Sequence, residues 1–171
     1  MKSAVQIHWD YFAFLEKDLI TVSETLELCE ENYDAFGPLI TKIVLNAGSE
    51  LDGALKSLAR AISFTLPEQP TMSDFRKMLL KHKQQEFATA TVRFLHTDII
   101  ITPWNSLSNE ESTSAPNWWT SYNQVKHQRA QKYTLANLKT ALSLIAALFT
   151  VIAYLRKITG DVSAWSTRIV D

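Results

Sequence analysis

Cysteine, glycine and proline are scarce in this chain of 171 residues, which has one cysteine, four glycines and five prolines. The single Cys29 excludes an intramolecular disulfide and a cysteine-rich metal site, and it suits a reduced cytoplasm. Most of the glycines and prolines lie between stretches of helical periodicity or at their ends, so the sequence predicts long helices. With 46% hydrophobic and 20% charged residues, the chain is expected to form one folded domain over residues 1–171.

Acidic residues are absent from the stretch between Ser112 and Gly160, whereas several carboxylates lie between Glu24 and Asp34. The bases of this acid-free stretch are Lys126, Arg129, Lys132, Lys139, Arg156 and Lys157. Such a stretch can attract phosphates. It can equally pack against the acidic residues near the end of the first predicted helix, and the sequence leaves both interpretations open.

No membrane attachment is expected. The amino-terminal stretch MKSAVQIHWDYF has neither a long apolar region nor a small-residue cleavage site, so we predict no secretion signal. Residues 140–155 are uncharged and strongly apolar. This run is shorter than the roughly 18 to 20 residues of a membrane span, and it is typical of a helix surrounded by other helices. A cytoplasmic location follows as the expectation.

Apolar residues at steps of three and four predict an all-α fold. The predicted helices cover residues 5–35, 38–64, 72–86 and 117–159, with an extended insertion at about 88–104 and a loop at 105–116. Gly37 and Pro38 end the first helix and start the second, so these two should form an antiparallel hairpin. The last helix is the most apolar and should be central, and Trp165 could tie down the tail that follows it. We therefore expect an up-down bundle of four or five helices with a small extended or β-hairpin insertion.

Common catalytic and cofactor motifs are missing from the sequence. There is no glycine-rich phosphate loop, no nucleophile elbow and no pair of cysteines. The histidines His8, His82, His96 and His127 fall in different predicted elements. We therefore expect neither a metal site nor a cofactor.

The stretch PNWWTSYNQVKHQRAQKY, residues 116–133, concentrates polar, aromatic and cationic side chains before the apolar helix. Asn123 and His127 are four residues apart and share one side of a helix. His127 could transfer a proton near neutral pH while Lys126 and Arg129 hold a phosphate or an oxyanion. The alternative is a polar layer where the helix leaves the bundle.

The second predicted helix is the expected opposing wall. Its stretch NAGSELDGALKSLAR contains Gly48 and Gly53, which permit close approach by another helix, and Glu50, a candidate partner for the cations or for His127. Lys56 can form an exposed ion pair with Asp52, four residues away.

Aromatic residues of the same region are candidate ligand contacts. The tandem residues Trp118 and Trp119 could stack on a planar ligand, or they could plug the end of the core. The candidate ligand-binding residues are Tyr122, Trp119 and Lys56.

The stretches HWDYFAFLEKDL, NAGSELDGALKSLAR and WWTSYNQVKHQRAQKYTLANLKTALSLIAALF resemble a largely uncharacterised bacterial family of HEPN-like helical bundles, with the motif WWxxYNxxKHxR. The resemblance implies an all-α bundle, often dimeric, of a kind found in RNA-cleaving toxins, defence systems and nucleotidyltransferase partners. Active members use an Arg, a short spacer and a His, without metal, to cleave RNA through its own 2′-hydroxyl. The resemblance implies the role of the catalytic histidine for His127 and that of the neighbouring polar residue for Asn123. With Lys126 and Arg129 to bind phosphate and Glu50 to position these cations, the five residues are the candidate catalytic residues. The implied partners are a second copy of the chain, RNA, and an antitoxin or a nucleotidyltransferase.

The order of the cations departs from the family pattern, because Lys126 adjoins His127 and Arg129 follows it. An Arg, a spacer and a His do occur as Arg76 and His82, in a short predicted helix outside the matching stretches. Two functions therefore stay open. One is a metal-independent endoribonuclease or RNA-binding effector of a defence or toxin system. The other is a non-catalytic dimerisation or ligand-sensing module.

Overall fold

The structure, a computed structural model, describes residues 2–108 and 114–161, apart from the side chains of residues 83–85. Within these ranges the chain is a mostly helical bundle with a small β-hairpin, as predicted. The helices are α1 (Ala4–Ser23), α2 (Pro38–Ala61), α3 (Met72–Thr89), α4 (Asn117–Lys132) and α5 (Leu138–Thr159). The strands β1 (Val92–Arg93) and β2 (Ile100–Ile101) pair in antiparallel orientation.

Helix α5 lies at the centre of the bundle, as predicted, and packs against α2, α1, α4 and both strands. It is long and apolar enough to cross a membrane, with a mean hydropathy of 1.9, but 72% of that stretch is buried against the rest of the protein. This burial is typical of the core helix of a soluble bundle. The side chain of Asn137 caps its start by accepting a hydrogen bond from the Thr140 amide at 3.0 Å, and Gly160 ends it in the left-handed conformation.

The predicted first helix, residues 5–35, is wrong in its second half, because α1 ends at Ser23 and a turn and a short 3-10 helix follow. Local side chains compete with the helix at this point. The hydroxyl of Ser23 donates to the Ile20 carbonyl at 2.7 Å, and that of Thr25 donates to the Val22 carbonyl at 3.3 Å. Carboxylates just beyond, such as Glu27, are also unfavourable at a helix carboxyl end.

The predicted last helix, residues 117–159, is interrupted by a 3-10 turn at Tyr133–Leu135, so it forms the separate helices α4 and α5. The amides that start α5 bond outside the helix. Leu138 donates to the Ala35 carbonyl at 2.8 Å, and Lys139 donates to the Tyr33 carbonyl at 3.1 Å. These tertiary bonds replace the intrahelical partners that a continuous helix would supply.

The second and third predicted helices are close to α2 and α3. Gly37 and Pro38 start α2, as predicted, and Thr71 starts α3 in a reciprocal capping box with Asp74. The amide and hydroxyl of Thr71 donate to the Asp74 carboxylate and hold the pKa of Asp74 below its ordinary value. The predicted loop at 105–116 begins with a 3-10 helix, Asn105–Ser108, and the expected role of Trp165 falls outside the described residues.

Candidate functional site

Helix α4 has two halves with opposite environments. Its first half is buried through Trp118, Trp119, Tyr122 and Val125, whereas every residue from 126 to 134 is exposed. Gln128 marks the change, because its backbone leaves the helical conformation with φ −135° and ψ 40°. The candidate site therefore begins where the helix emerges from the core.

The tryptophans belong to the core, which is one of the two roles predicted for them. Trp118 and Trp119 are each 8% exposed, and the indole N–H of Trp118 donates to the Pro103 carbonyl at 2.9 Å. The ring of Trp118 meets Trp104 edge to face at a centroid distance of 5.1 Å. The ring of Trp119 lies 5.2 Å from that of Tyr122, which is also buried. The rings of Trp119 and Tyr122 therefore help to fill the core, and the contact with a ligand that we expected of them stays a prediction.

Tyr122 fixes how α4 sits against α2. Its ring lies directly on Gly48, where a β-carbon would come 2.5 Å from Cε2 and 2.6 Å from Cγ of the ring. Only a residue without a side chain fits there. The predicted close approach at Gly48 is confirmed.

Four exposed residues of α4, namely Lys126, His127, Arg129 and Lys132, are called the basic segment below. The ammonium of Lys126 lies over the Tyr122 ring, 5.6 Å from its centroid. Within the described part of the chain, no carboxylate pairs with any of these four side chains. The basic segment thus faces solvent, and it does not pack against the acidic residues that follow α1, which was the other expectation. Asn123, one turn before His127, is half-buried.

Glu50 does not lie against the basic segment, contrary to our expectation. Its Oε1 is 2.5 Å from His8 Nδ1, and His8 Nε2 is 2.9 Å from Ser57 Oγ. Residues two apart on a helix point about 200° away from each other around the axis. Because Gly48 faces α4, Glu50 faces the other flank of α2, where α1 packs.

The hydrogen-bonded residues His8, Glu50 and Ser57, which we call the Glu50 network, were not predicted from the sequence. Against an ionised carboxylate, Nδ1 of His8 is the donor, and Nε2 is left to bond the Ser57 hydroxyl. The only available signal was that His8 falls on the apolar face of the first helix, a position that requires a polar partner. The His8 ring also lies over Gly53, where a β-carbon would make an ordinary van der Waals contact with His8 Cε1 at 3.6 Å.

The order of carboxylate, imidazole and hydroxyl in the Glu50 network is also found in serine hydrolases. An oxyanion hole needs free N–H donors beside the nucleophile. Glu50 and Ser57 both lie within α2, well inside its ends, where the backbone N–H groups are used by the helix itself. The network is therefore best described as a polar contact that joins α1 to α2.

Removing the carboxylate of the Glu50 network should destabilise the fold. We expect Glu50→Ala to lower the free energy of unfolding by about 1.5 to 3 kcal/mol, because the buried His8 loses a hydrogen bond to a charged group. Lys56→Ala, on the same helix, breaks a half-exposed pair with Asp52 at 2.5 Å and should cost less than about 1 kcal/mol. Urea denaturation measures both values. Equal losses in the two variants would contradict the structural role of the network.

The remaining candidates from the sequence occupy ordinary structural positions. Lys56 forms the predicted pair with Asp52, so its charge is already opposed. Arg76 is buried and donates from Nη1 to the Ser106 carbonyl at 3.0 Å. The ring of His82 meets Phe64 edge to face at 5.7 Å. Arg76 thus holds the loop that begins at Asn105, which argues against the pair Arg76 and His82 as an RNA site.

Two surface cavities of the described structure differ in charge. One, of about 800 Å³, is lined by the carboxylates of Glu27, Glu30, Glu31 and Asp98, and this lining repels phosphate. The other, of about 600 Å³, runs from Tyr33 and Lys139 to the start of α4, and none of the described residues that line it is acidic. Burial, and to a smaller extent the Glu30 carboxylate, raise the pKa of Tyr33 above its ordinary value, so its hydroxyl stays protonated at neutral pH.

Among the described residues, no group of three or more His, Cys, Asp or Glu side chains is placed to hold a metal ion. No family model, curated protein or solved structure matches the chain. The class that the structure defines is a mostly helical bundle, and the HEPN-like interpretation rests on the sequence motifs alone.

Proposed function

We propose that this protein is a HEPN-like, metal-independent endoribonuclease that binds RNA through the basic segment. One observation carries the proposal. Lys126, His127, Arg129 and Lys132 are exposed together, and within the described residues no carboxylate neutralises them. Exposed cations bind phosphates, and an imidazole beside them can transfer protons near neutral pH.

The proposed reaction uses the 2′-hydroxyl of the RNA as the nucleophile. His127 accepts its proton while the 2′-oxygen bonds to the adjacent phosphorus and the bond to the 5′-oxygen breaks. The resulting imidazolium returns the proton to the leaving 5′-oxygen, so the products are a 2′,3′-cyclic phosphate and a 5′-hydroxyl. Lys126 and Arg129 stabilise the charge on the phosphoryl oxygens. Asn123 orients the imidazole from one turn away.

The experiment that tests this proposal measures RNA binding and cleavage in EDTA. Wild-type protein should produce the two named ends from single-stranded RNA. The triple variant Lys126→Ala, Arg129→Ala and Lys132→Ala should bind RNA more weakly and with a smaller dependence on salt. Each lost phosphate contact reduces the slope of log K against log salt by about 0.7 for single strands. Loss of all three contacts should therefore reduce the slope by about 2 in fluorescence anisotropy titrations.

A control variant distinguishes the loss of phosphate contacts from the mere loss of positive net charge. Lys42→Ala, Lys77→Ala and Lys157→Ala remove the same charge from lysines that pair with carboxylates elsewhere on the protein. This variant should keep the wild-type slope. If both triple variants change the slope equally, or if the wild-type protein binds no RNA, the proposal is wrong.

A second candidate function is a non-catalytic dimerisation module, and a feature of α1 favours it. Ile7, Tyr11 and Phe14 form an exposed apolar stripe, with 54%, 38% and 68% of their surface accessible. Ile7 and Phe14 are placed symmetrically about the middle of the stripe. Two antiparallel copies of α1 could therefore bring Ile7 of each copy against Phe14 of the other, as a two-fold interface requires. Sedimentation equilibrium showing a dimer, combined with intact RNA in the cleavage assay, would favour this candidate.

A further inference from the structure

Two exposed aromatic rings lie beside the basic segment. Phe36 and Tyr133 are 50% and 51% exposed, and their rings meet edge to face with centroids 5.5 Å apart. We call them the aromatic pair. Neither ring belongs to the buried core, and because the two rings touch they form a contiguous exposed apolar patch, a feature that marks binding sites more often than single exposed side chains do.

The aromatic pair is held in place by backbone bonds. Phe36 forms an isolated antiparallel bridge with Asn137. The Ala35 carbonyl, one residue earlier, accepts a hydrogen bond from the Leu138 amide at 2.8 Å. Tyr133 lies in the 3-10 turn that links α4 to α5. Because both rings stand on backbone tied to the central helix, little ordering entropy would be lost when a ligand contacts them.

The charge around the aromatic pair is uneven. Lys132 precedes Tyr133 directly, and Lys139 follows Asn137 by two residues, with its ammonium 5.6 Å from the centroid of the Tyr33 ring. The sequence has no carboxylate near Tyr133, whereas Asp34 precedes Phe36 by two residues. Phosphates are therefore favoured on the Tyr133 side of the pair. The cavity of about 600 Å³, which has no acidic residue among its described lining residues, also begins here, at Tyr33, Asn137 and Lys139.

We propose that the aromatic pair binds the unpaired bases of single-stranded RNA, while the basic segment holds the adjoining phosphates. This inference rests on the proposed function and specifies its substrate as single-stranded. Aromatic rings stack on bases of any sequence, and cations beside them track the backbone. Bases within a duplex are already stacked on each other, so they cannot stack on the rings of Phe36 and Tyr133.

Anisotropy titrations with labelled single-stranded RNA test the inference. Tyr133→Ala and Phe36→Ala should each weaken binding by about 5- to 150-fold, the range that removal of a stacking ring gives. The salt slope should stay at the wild-type value, since no phosphate contact is lost. Tyr133→Phe keeps the ring and should bind like wild type. Ile158→Ala removes an exposed apolar side chain near the carboxyl end of α5, far from the basic segment, and should also leave binding unchanged.

A single strand with abasic sites supplies the decisive comparison. It keeps the phosphates and lacks the bases, so Tyr133→Ala should bind it as wild type does. If Tyr133→Ala lowers the affinity for the abasic strand as much as the affinity for the complete strand, stacking of bases on Tyr133 is excluded. If Tyr133→Ala and Phe36→Ala both bind the complete strand like wild type, the inference fails. Circular dichroism of each variant must show the wild-type helical signal.

The same titrations separate this inference from the proposed function. One outcome is a smaller salt dependence in the triple variant of the basic segment, with RNA affinity unchanged by the aromatic substitutions. This result would support RNA binding by the basic segment and would overturn base binding by the aromatic pair. No RNA binding by the wild-type protein would overturn both. Conversion of a wild-type dimer into a monomer by Phe36→Ala and Tyr133→Ala would identify the pair as a protein interface, and would also overturn the inference.

Discussion

Replacing His127 by alanine is expected to lower the rate of RNA cleavage by about 100- to 10,000-fold, the contribution of a positioned general acid or base. Its neighbours Lys126 and Arg129 carry hydrogen-bond donors and no acceptor, so neither replaces the imidazole as the group that accepts the proton of a 2′-hydroxyl. The measurement is the single-turnover cleavage rate of labelled RNA with purified protein in EDTA. RNA binding should change little, because the two flanking cations remain.

The exposure of His127 makes this variant a clean test of chemistry. An exposed side chain on a helix contributes little to stability, so the circular dichroism signal and the unfolding midpoint should stay at wild-type values. His82→Ala is the matched control, since His82 belongs to the other Arg and His combination in the sequence. Full activity of His127→Ala combined with loss in His82→Ala would move the site to α3 and contradict our assignment.

Periodicity predicted the parts of the fold that depend on burial. The apolar run of α5 and its central position follow from its composition, and Gly37 with Pro38 marks the start of α2. The break at Tyr133–Leu135 could not be predicted in the same way. It depends on the bonds that the α5 amides make with residues 33 and 35, which are distant in sequence. The single local sign was Asn137, a good helix-capping residue inside an otherwise helical pattern.

In the candidate site too, some features could be predicted from the sequence and others depend on residues that are distant in sequence. Spacing along one helix placed Asn123, Lys126 and His127 near each other, and exposure of the last two agrees with a surface site. The partner of Glu50 was not predictable, because both flanks of α2 carry a small residue at which another helix can approach. Gly48 accommodates Tyr122, whereas Gly53 lies under His8, and the sequence pattern does not distinguish them. Which helix packs at which glycine depends on the shape of the side chain that it brings there.

This difference between the two glycines gives a prediction for the stability of the protein. A β-carbon at Gly48 would overlap several atoms of the Tyr122 ring, including Cε2 at 2.5 Å. Overpacking of this kind costs about 1 to 3 kcal/mol, and we take the upper end because the overlap involves the body of a ring and no flexible tip. Alanine also favours the helix by up to about 1 kcal/mol. Gly48→Ala should therefore lower the free energy of unfolding by about 2 kcal/mol in urea denaturation.

Gly53→Ala is the matched control on the same helix. Its β-carbon would make an ordinary contact with His8 Cε1 at 3.6 Å, so the helix preference should dominate and stabilise the protein by about 0.5 to 1 kcal/mol. Tyr122→Ala identifies the cause, because in that background Gly48→Ala should no longer destabilise. Equal effects of the two glycine substitutions, or a loss at Gly48 that persists without Tyr122, would contradict the packing of α4 on α2. Since the basic segment continues from Tyr122 on the same helix, Gly48→Ala should also weaken RNA binding, whereas Gly53→Ala should not.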